Sequence, residues 1–306
     1  MSTSDDIVGA SPVTVGAVAP AMRNRRRTER RELIALLLRS PAFMIGMVVI
    51  LFWTVCGIFG DRITPYRHDE IVVEGGNLLD PSFRPSWEHP FGLDNLGRDV
   101  FSRVLSGAGP ILAVAPLATL IGVVCGSILG LITGYFGGTV DNVVSRLIDA
   151  VLALPLIIIA IGVLQSTGTS ALSLALVIGF VFTPIVARTV RSAVLGERSL
   201  DYVQAAKLRG ERAPYIMFAE ILPNVMGPII VEATVRLGYA VFALVTLAFL
   251  GFGEVDPSPD WGVQIQEHYS YIDQAWWTVL WPALAIASLV VALNLVADSM
   301  QQAVES

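Results

Sequence analysis

The chain has 306 residues, of which 54% are hydrophobic and only 15% charged, with a net charge of −6 and a mean hydropathy of +0.66. Soluble domains carry about 25% charged residues, so the deficit argues against a soluble protein and for a membrane one. The two cysteines, Cys56 and Cys125, both fall in apolar stretches. They read as small apolar fillers and exclude a disulfide framework or a thiolate metal pair.

Residues 1–30 read as a disordered cytoplasmic tail. Their first part is rich in Ser, Ala, Val and Pro without a period. Arg23, Arg25, Arg26, Arg27, Arg30 and Arg31 follow, ahead of an apolar run. This order mimics a secretory signal, but the run is too long and "GIFGDR" lacks a small-x-small cleavage site. The run therefore reads as an uncleaved anchor, and residues 31–306 as one transmembrane domain.

Uncharged runs of about 18 residues or more read as spanning helices. Residues 41–60 form the first and residues 104–140 the second, which carries no polar break and reads as one span with interfacial flanks. Residues 150–187 form the longest; as one helix it would reach about 57 Å, nearly twice the hydrocarbon thickness. Its middle, Gln165-Ser-Thr-Gly-Thr-Ser170, has turn composition, so the run reads as two short spans joined by a polar hairpin. A fifth span covers residues 238–253, reaching back to Gly227 if Glu232 and Arg236 are allowed, and residues 275–297 close the list. The expected fold is an all-α membrane protein with six transmembrane helices.

Fourteen of the twenty Lys and Arg residues then share one side, including Arg39, Arg146, Arg188, Arg191, Arg198, Lys207, Arg209 and Arg212. Five, Arg62, Arg67, Arg84, Arg98 and Arg103, lie opposite. This asymmetry puts both termini in the cytoplasm. Because the basic residues follow the membrane rule and form no groove, nucleic-acid binding is not indicated.

The outer loop, residues 60–103, carries "HPFGLDNLGRDVFSRVLSGAGP". Asp94, Asn95 and Gly97 mark turns, and Val100, Phe101, Val104 and Leu105 then fall at helical spacing, which predicts an amphipathic helix on the membrane surface. A solvated loop with an interfacial anchor is the alternative. Residues 134–155 cross the cytoplasmic face, with Asp141 and Arg146 flanking a short helical pattern that reads as a structural turn.

The island "DYVQAAKLRG" follows. Ser199 and Asp201 are N-cap types, with Gln204 placed as in a capping box. Gly210 suits the C′ position, where φ is positive. Pro214 opens a second short helix and Pro223 ends it. Ala205 and Ala206 flatten one face, which fits a groove on a partner; a plain cytoplasmic connector is the alternative. Glu232 and Arg236 stand four apart within a span and can pair. They either line a wet translocation path or form an intrahelical pair near the interface. Trp276, Trp277 and Trp281 read as an aromatic belt.

No catalytic chemistry is visible. Lys207 is the sole lysine and is preceded by Gln-Ala-Ala, so no P-loop exists. His68, His89 and His268 lack ligand spacing, and no G-x-S-x-G occurs.

"VQAAKLRG" followed by "ILPN" resembles the EAA motif of inner-membrane permeases of binding-protein-dependent ABC importers. Ala205, Ala206, Gly210, Leu222, Pro223 and Asn224 match it; Gln204 stands where the motif has Glu, and Glu220 near where a His often sits. "HPFGLDNLGRDVFSR", "GYFGGTVDNVVSRLIDAVLALP" and "AFLGFGEVDPSPDWG" resemble the C-type permease subunit of dipeptide and oligopeptide importers. The resemblance covers roughly residues 28–303. It implies a type I ABC importer permease fold in a bacterial cytoplasmic (inner) membrane. It implies a second homologous permease subunit, two ATPase subunits that bind ATP and Mg, and an extracytoplasmic substrate-binding protein.

On that resemblance residues 199–224 form the ATPase-coupling segment, with Asp201, Gln204, Ala205, Ala206, Lys207, Gly210, Pro223 and Asn224 as its candidates. Glu232 and Arg236 are the translocation-path candidates. Glu88, His89, Asp94, Arg98, Asp256 and Asp260, in two charged outer loops, are the binding-protein contact candidates. No cofactor belongs to this chain. Nickel or another small solute is the alternative cargo. An ion-coupled secondary transporter is the rival class, but it needs ionisable relays and often repeats, and only Glu232 and Arg236 lie deep.

Overall fold

The structure is a computed structural model that describes residues 36–74, 78–254 and 257–305. The N-terminal tail and Asp256 lie outside the described residues. The described chain is helical, with two isolated β-bridges in the outer loop. In order come α1 (Pro41–Ile63), α2 (Val100–Ser106), α3 (Ala108–Phe136), α4 (Gly138–Leu152), α5 (Leu156–Thr167) and α6 (Ala171–Glu197). Then follow α7 (Asp201–Leu208), α8 (Leu222–Leu247), α9 (Trp261–His268) and α10 (Trp277–Glu305).

The centre of the bundle is the pair α3 and α6. On α3, Gly122, Gly126, Gly130 and Gly134 recur every fourth residue and so share one face. A Cβ at Gly126 would lie 2.6 Å from Val186 Cβ, and one at Gly130 would lie 2.7 Å from Val190 Cβ and from the Ala187 carbonyl. The two backbones therefore touch wherever a glycine leaves room. In lipid, where apolar burial drives little helix association, such close approach supplies dispersion contacts instead.

Gly122 meets Phe182, whereas Gly134 meets Val194. Both numbers rise together, so α3 and α6 run parallel. A parallel pair needs a connection that returns through the thickness of the bundle, and α4 with α5 supplies it. Neither crosses alone: the 12 residues of α5 reach only about 18 Å. The pair is bent by 82° across the break. The cause is local: Pro155 has no N–H and drives its predecessor from the helical region, so α4 stops at Leu152.

Five described helical segments are long and apolar enough to cross a membrane by themselves, and the bent pair makes six. The run 150–187 thus contains the expected hairpin, which closes where Ser170 caps α6 by accepting from the Ser173 amide at 3.2 Å. Its first limb, however, is half of a broken span. Nor is 134–155 a plain turn: α4 has 15 residues, and its Asp141 accepts from Arg191 of α6.

The helix α2 differs from expectation too. It lies inside the protein and nearly continuous with α3, with Val100, Arg103 and Val104 buried. Two of the belt tryptophans also point inward. Trp277 Nε1 donates to the Leu93 carbonyl at 3.0 Å, and Trp281 stacks on Phe91 at 4.0 Å; only Trp276 is exposed.

The glycine row gives a first prediction. Gly130→Leu should lower the thermal stability of the purified protein in detergent, because overpacking costs about 1–3 kcal/mol or more. Gly162→Leu is the control, since a Cβ there meets nothing within 4 Å, and it should leave the unfolding temperature in place.

Candidate functional site

Three regions hold the candidate residues: the α6–α8 connection, the middle of α8, and the cap formed by the 60–103 loop with α9.

The short helix α7 lies across the end of the bundle. Its N-cap is Leu200, with no side-chain bond, so neither Ser199 nor Asp201 caps it. Ser199 Oγ donates to the Gly196 carbonyl at 2.9 Å, while Asp201 occupies the first helical position, where its charge suits the helix dipole. Gln204 makes no capping box; its Nε2 donates to the Arg198 carbonyl at 3.0 Å.

The other end follows expectation. The Gly210 amide donates to Lys207 and the Glu211 amide to Ala206, at 3.0 and 3.2 Å. This is a Schellman motif, and Gly210 holds φ at +77°.

The flat face is divided. Ala206 and Val203 are fully buried in this chain's own core with Val190, Val194, Ile216 and Ile221. Ala206 is therefore not free to meet a partner: its small side chain seats α7 on the bundle. Gln204, Ala205, Lys207 and Leu208 face outward. Leu208 is 90% exposed, a residue that the motif alone does not single out. Lys207 Nζ lies 5.5 Å from the Tyr135 ring centroid.

Tyr202 donates to Glu197 at 2.6 Å. Burial, then that carboxylate, pushes its phenol up to about 12. Arg198 donates to the Gly134 carbonyl at 3.0 Å, so α6, α7 and the end of α3 are tied together.

Pro223 does not end a second helix. Ala213–Tyr215 leads into a π-turn, Ile216–Ile221, and then into α8 without interruption. The Leu222 amide still donates to Met217, five residues back, so Pro223 sits where the register is changing and its missing N–H costs little. Asn224 Nδ2 donates to the Glu220 carbonyl at 2.8 Å. The Glu220 carboxylate accepts from Arg209 at 3.2 Å.

Within α8, Arg236 Nε donates to Glu232 Oε1 at 2.6 Å, so the two side chains contact each other. Thr189 of α6 donates to Glu232 Oε2 at 3.3 Å. The rings of Tyr239 and Phe182 stand 5.1 and 6.0 Å from the guanidinium, a cation–π arrangement.

The cap that the 60–103 loop forms with α9 closes on buried charge. Asp94 accepts from the Leu96 and Arg98 amides, each at 2.9 Å, and from Arg98 Nε at 2.6 Å. Arg98 also reaches Glu267 of α9 at 3.4 Å. Arg103, 1% exposed, donates to the carbonyls of His68 and Ser258, each at 3.2 Å. Asp99 caps α2 and lies 3.0 Å from His89 Nδ1.

His268 Nδ1 donates to the Gln264 carbonyl at 2.6 Å and its Nε2 lies 2.9 Å from Asn95 Oδ1. Burial above all lowers its pKa below the ordinary histidine value. Gly97 permits the tight turn: a Cβ would strike the Val73 carbonyl, and φ is +78°. Asp260 caps α9 by accepting from Gly262 at 2.7 Å and Val263 at 3.3 Å.

His89, Asp94, Arg98 and Asp260 are therefore interior groups and not a rim. Each supplies a polar contact that the folded-back loop needs once its backbone leaves water. Glu88 is exposed, and beside it Trp87 is fully exposed.

Asp260 predicts a pH effect. Burial, helped by Glu254 and opposed by the two amides, pushes its carboxyl up to about 6. The folded state thus binds the proton more tightly than the unfolded state, whose value is near 4. Stability from this group is present in full below about pH 4 and lost as pH rises through about 6. Asp260→Asn, which can still cap α9, should flatten that part of the stability profile, an effect on the order of 2–3 kcal/mol. Unfolding temperatures in detergent between about pH 4 and 7 check it; an unchanged slope contradicts it.

Comparison with known proteins bears on these regions. Residues 126–306 match the family described as binding-protein-dependent transport system inner membrane component. The dipeptide transport system permease protein DppC of Alkalihalophilus pseudofirmus is 35% identical over 278 residues, 90% of this chain and 89% of that protein. The di/tripeptide transport system permease protein DppC of Pseudomonas aeruginosa is 34% identical, covering 85% and 86%. The glutathione transport system permease protein GsiD of Pectobacterium atrosepticum is 31% identical over 296 residues, 94% and 95%. Among solved structures, an inward-facing MetNI methionine ABC transporter aligns with a TM-score of 0.54 at 20% identity. That alignment covers 66% of this chain and 96% of the other, and shows likeness of fold.

Proposed function

This chain belongs to the family of binding-protein-dependent transport system inner membrane components, and we propose that it is the permease half of an ATP-driven peptide importer. A second, homologous permease subunit completes the pathway, and two ATPase subunits bind ATP and Mg below it. This chain supplies no catalytic group and no cofactor. Both termini face the cytoplasm of a bacterial cell, and a soluble binding protein brings cargo to the outer side. Supporting the cargo are the names of the relatives, which concern dipeptides, di/tripeptides and glutathione. Nickel or another small solute is not favoured. An ion-coupled carrier does not fit the family.

The observation that carries the reading is the divided surface of α7. One face is fixed to the core through Val203 and Ala206. The other offers Ala205, Lys207 and an almost bare Leu208. A short capped helix with one apolar side chain standing clear fits a groove on a separate ATPase subunit. Motion of that subunit passes through α7 to α6, and across the Gly210 turn to the helical stretch that begins at Ala213 and runs into α8. On the outer side, Glu88 and Trp87 mark where the binding protein lands; an exposed Trp on a braced turn suits an interface anchor.

Leu208→Asp and Ala205→Glu should leave the purified permease folded while reducing ATP hydrolysis stimulated by the loaded binding protein about tenfold or more. Full stimulation in both would remove α7 from the coupling role. Ala206→Glu should instead fail to give a stable bundle, since it buries an unpaired charge at a cost of several kcal/mol. Cysteine at Glu88 should cross-link to the binding protein. Absence of a product there, with products from other outer positions, moves the landing surface elsewhere.

A further inference from the structure

The guanidinium of Arg236 is only half used. Its Nε donates to Glu232, whereas its two terminal nitrogens have no hydrogen-bond acceptor among the described residues. The arginine fork binds a carboxylate with two parallel bonds, and here the outer edge of that fork is open. Glu232 is in the opposite condition, satisfied by both Arg236 and Thr189. A pair serving only to neutralise itself in lipid would gain by closing both bonds.

The location adds to this. Arg236 lies near the middle of the 40-residue helical stretch Ala213–Phe252 and beside Phe182, which is level with Gly122 in the middle of α3. It is at mid-depth, where a charge is expensive and marks a substrate path. Next to it opens a groove of about 160 Å³ between α5, α6 and α8. Leu156, Ala160, Ile178, Phe182, Tyr239 and Phe242 are among its walls. One wall, α5, is the short limb of the bent span, and discontinuous helices at membrane depth form substrate sites in other transporters.

We propose that Arg236 and this groove form a transit subsite for the C-terminal end of a peptide. The carboxylate docks on the open edge of the guanidinium, and the apolar side chain of the last residue enters the groove beside Phe182 and Tyr239. Glu232 keeps the arginine neutralised while the site is empty. The inference rests on the peptide-importer reading.

The test uses the complete transporter in proteoliposomes and reads peptide taken up per ATP hydrolysed. Two changes are compared with wild type: Arg236→Gln, and the exchanged pair Glu232→Arg with Arg236→Glu. The exchanged pair keeps an i,i+4 ion pair and the same net charge. Cargoes are a dipeptide with a free C-terminus and its C-terminal amide, both first confirmed to bind the binding protein.

For the free acid, both variants should lose about tenfold, the equivalent of about 1.4 kcal/mol. For the amide, the ratio should equal that of wild type. Normal transport of the free acid by the exchanged pair would make the pair purely structural. Equal losses for acid and amide would mean that the carboxylate on Arg236 comes from protein and not from cargo. Either result overturns the subsite. Failure of wild type to take up any peptide sinks the peptide reading instead, so the two failures are distinguishable.

Discussion

The contact on which the rest depends is the backbone-to-backbone seam between α3 and α6. Four glycines at one helical period remove the side chains that would hold two helices apart, and dispersion then acts between the backbones themselves. Because the helices run parallel, the chain must come back through the bundle between them. The return is made by α4 and α5, broken before Pro155. That break shortens α5, which walls the groove whose Phe182 and Tyr239 flank Arg236. The same seam brings the ends of α3 and α6 together, where Asp141, Arg191 and Arg198 tie them and α7 is seated.

The two ends of the bundle then differ in kind. At the end that carries the 60–103 loop, charge is locked away: Asp94, Arg98, Arg103 and Glu267 bind that loop to α9 across a large sequence distance. Buried ion pairs and hydrogen bonds of this kind hold together what they join. At the other end, α7 has one face fixed and one face free. On the proposed function, a rigid cap at one end and a half-bound helix at the other suit a machine that is pushed from one side.

How much of this was legible in the sequence follows from which forces are local. Span positions depend on composition along the chain, and they read correctly except where a bend breaks one. Gly210 at C′ and the Glu232–Arg236 contact depend on neighbours within a turn or two, and both stand as the spacing implies. The inward burial of Ala206 does not: its partners Val190 and Ile221 come from other parts of the chain. The charges of "GLDNLGRD" look like a solvated rim even though Asp94 and Arg98 pair within the stretch; what hides the pair is α9, whose Glu267 meets Arg98 from 169 positions away. The glycine row lay in plain view as a period of four. Its partner face on α6 carries Val186, Val190 and Val194, and no pattern within α3 names it.

The account's central claim is that passage through this bundle is driven by a separate ATPase acting from the cytoplasmic side. It is tested most directly by uptake of a radiolabelled dipeptide into proteoliposomes that hold this chain with its second permease subunit, its ATPase subunits and its binding protein. The account predicts uptake that requires ATP inside the cytoplasmic compartment and the binding protein on the opposite side, and that persists when proton and sodium gradients are collapsed. Uptake that survives without ATP and vanishes with an ion gradient would contradict it.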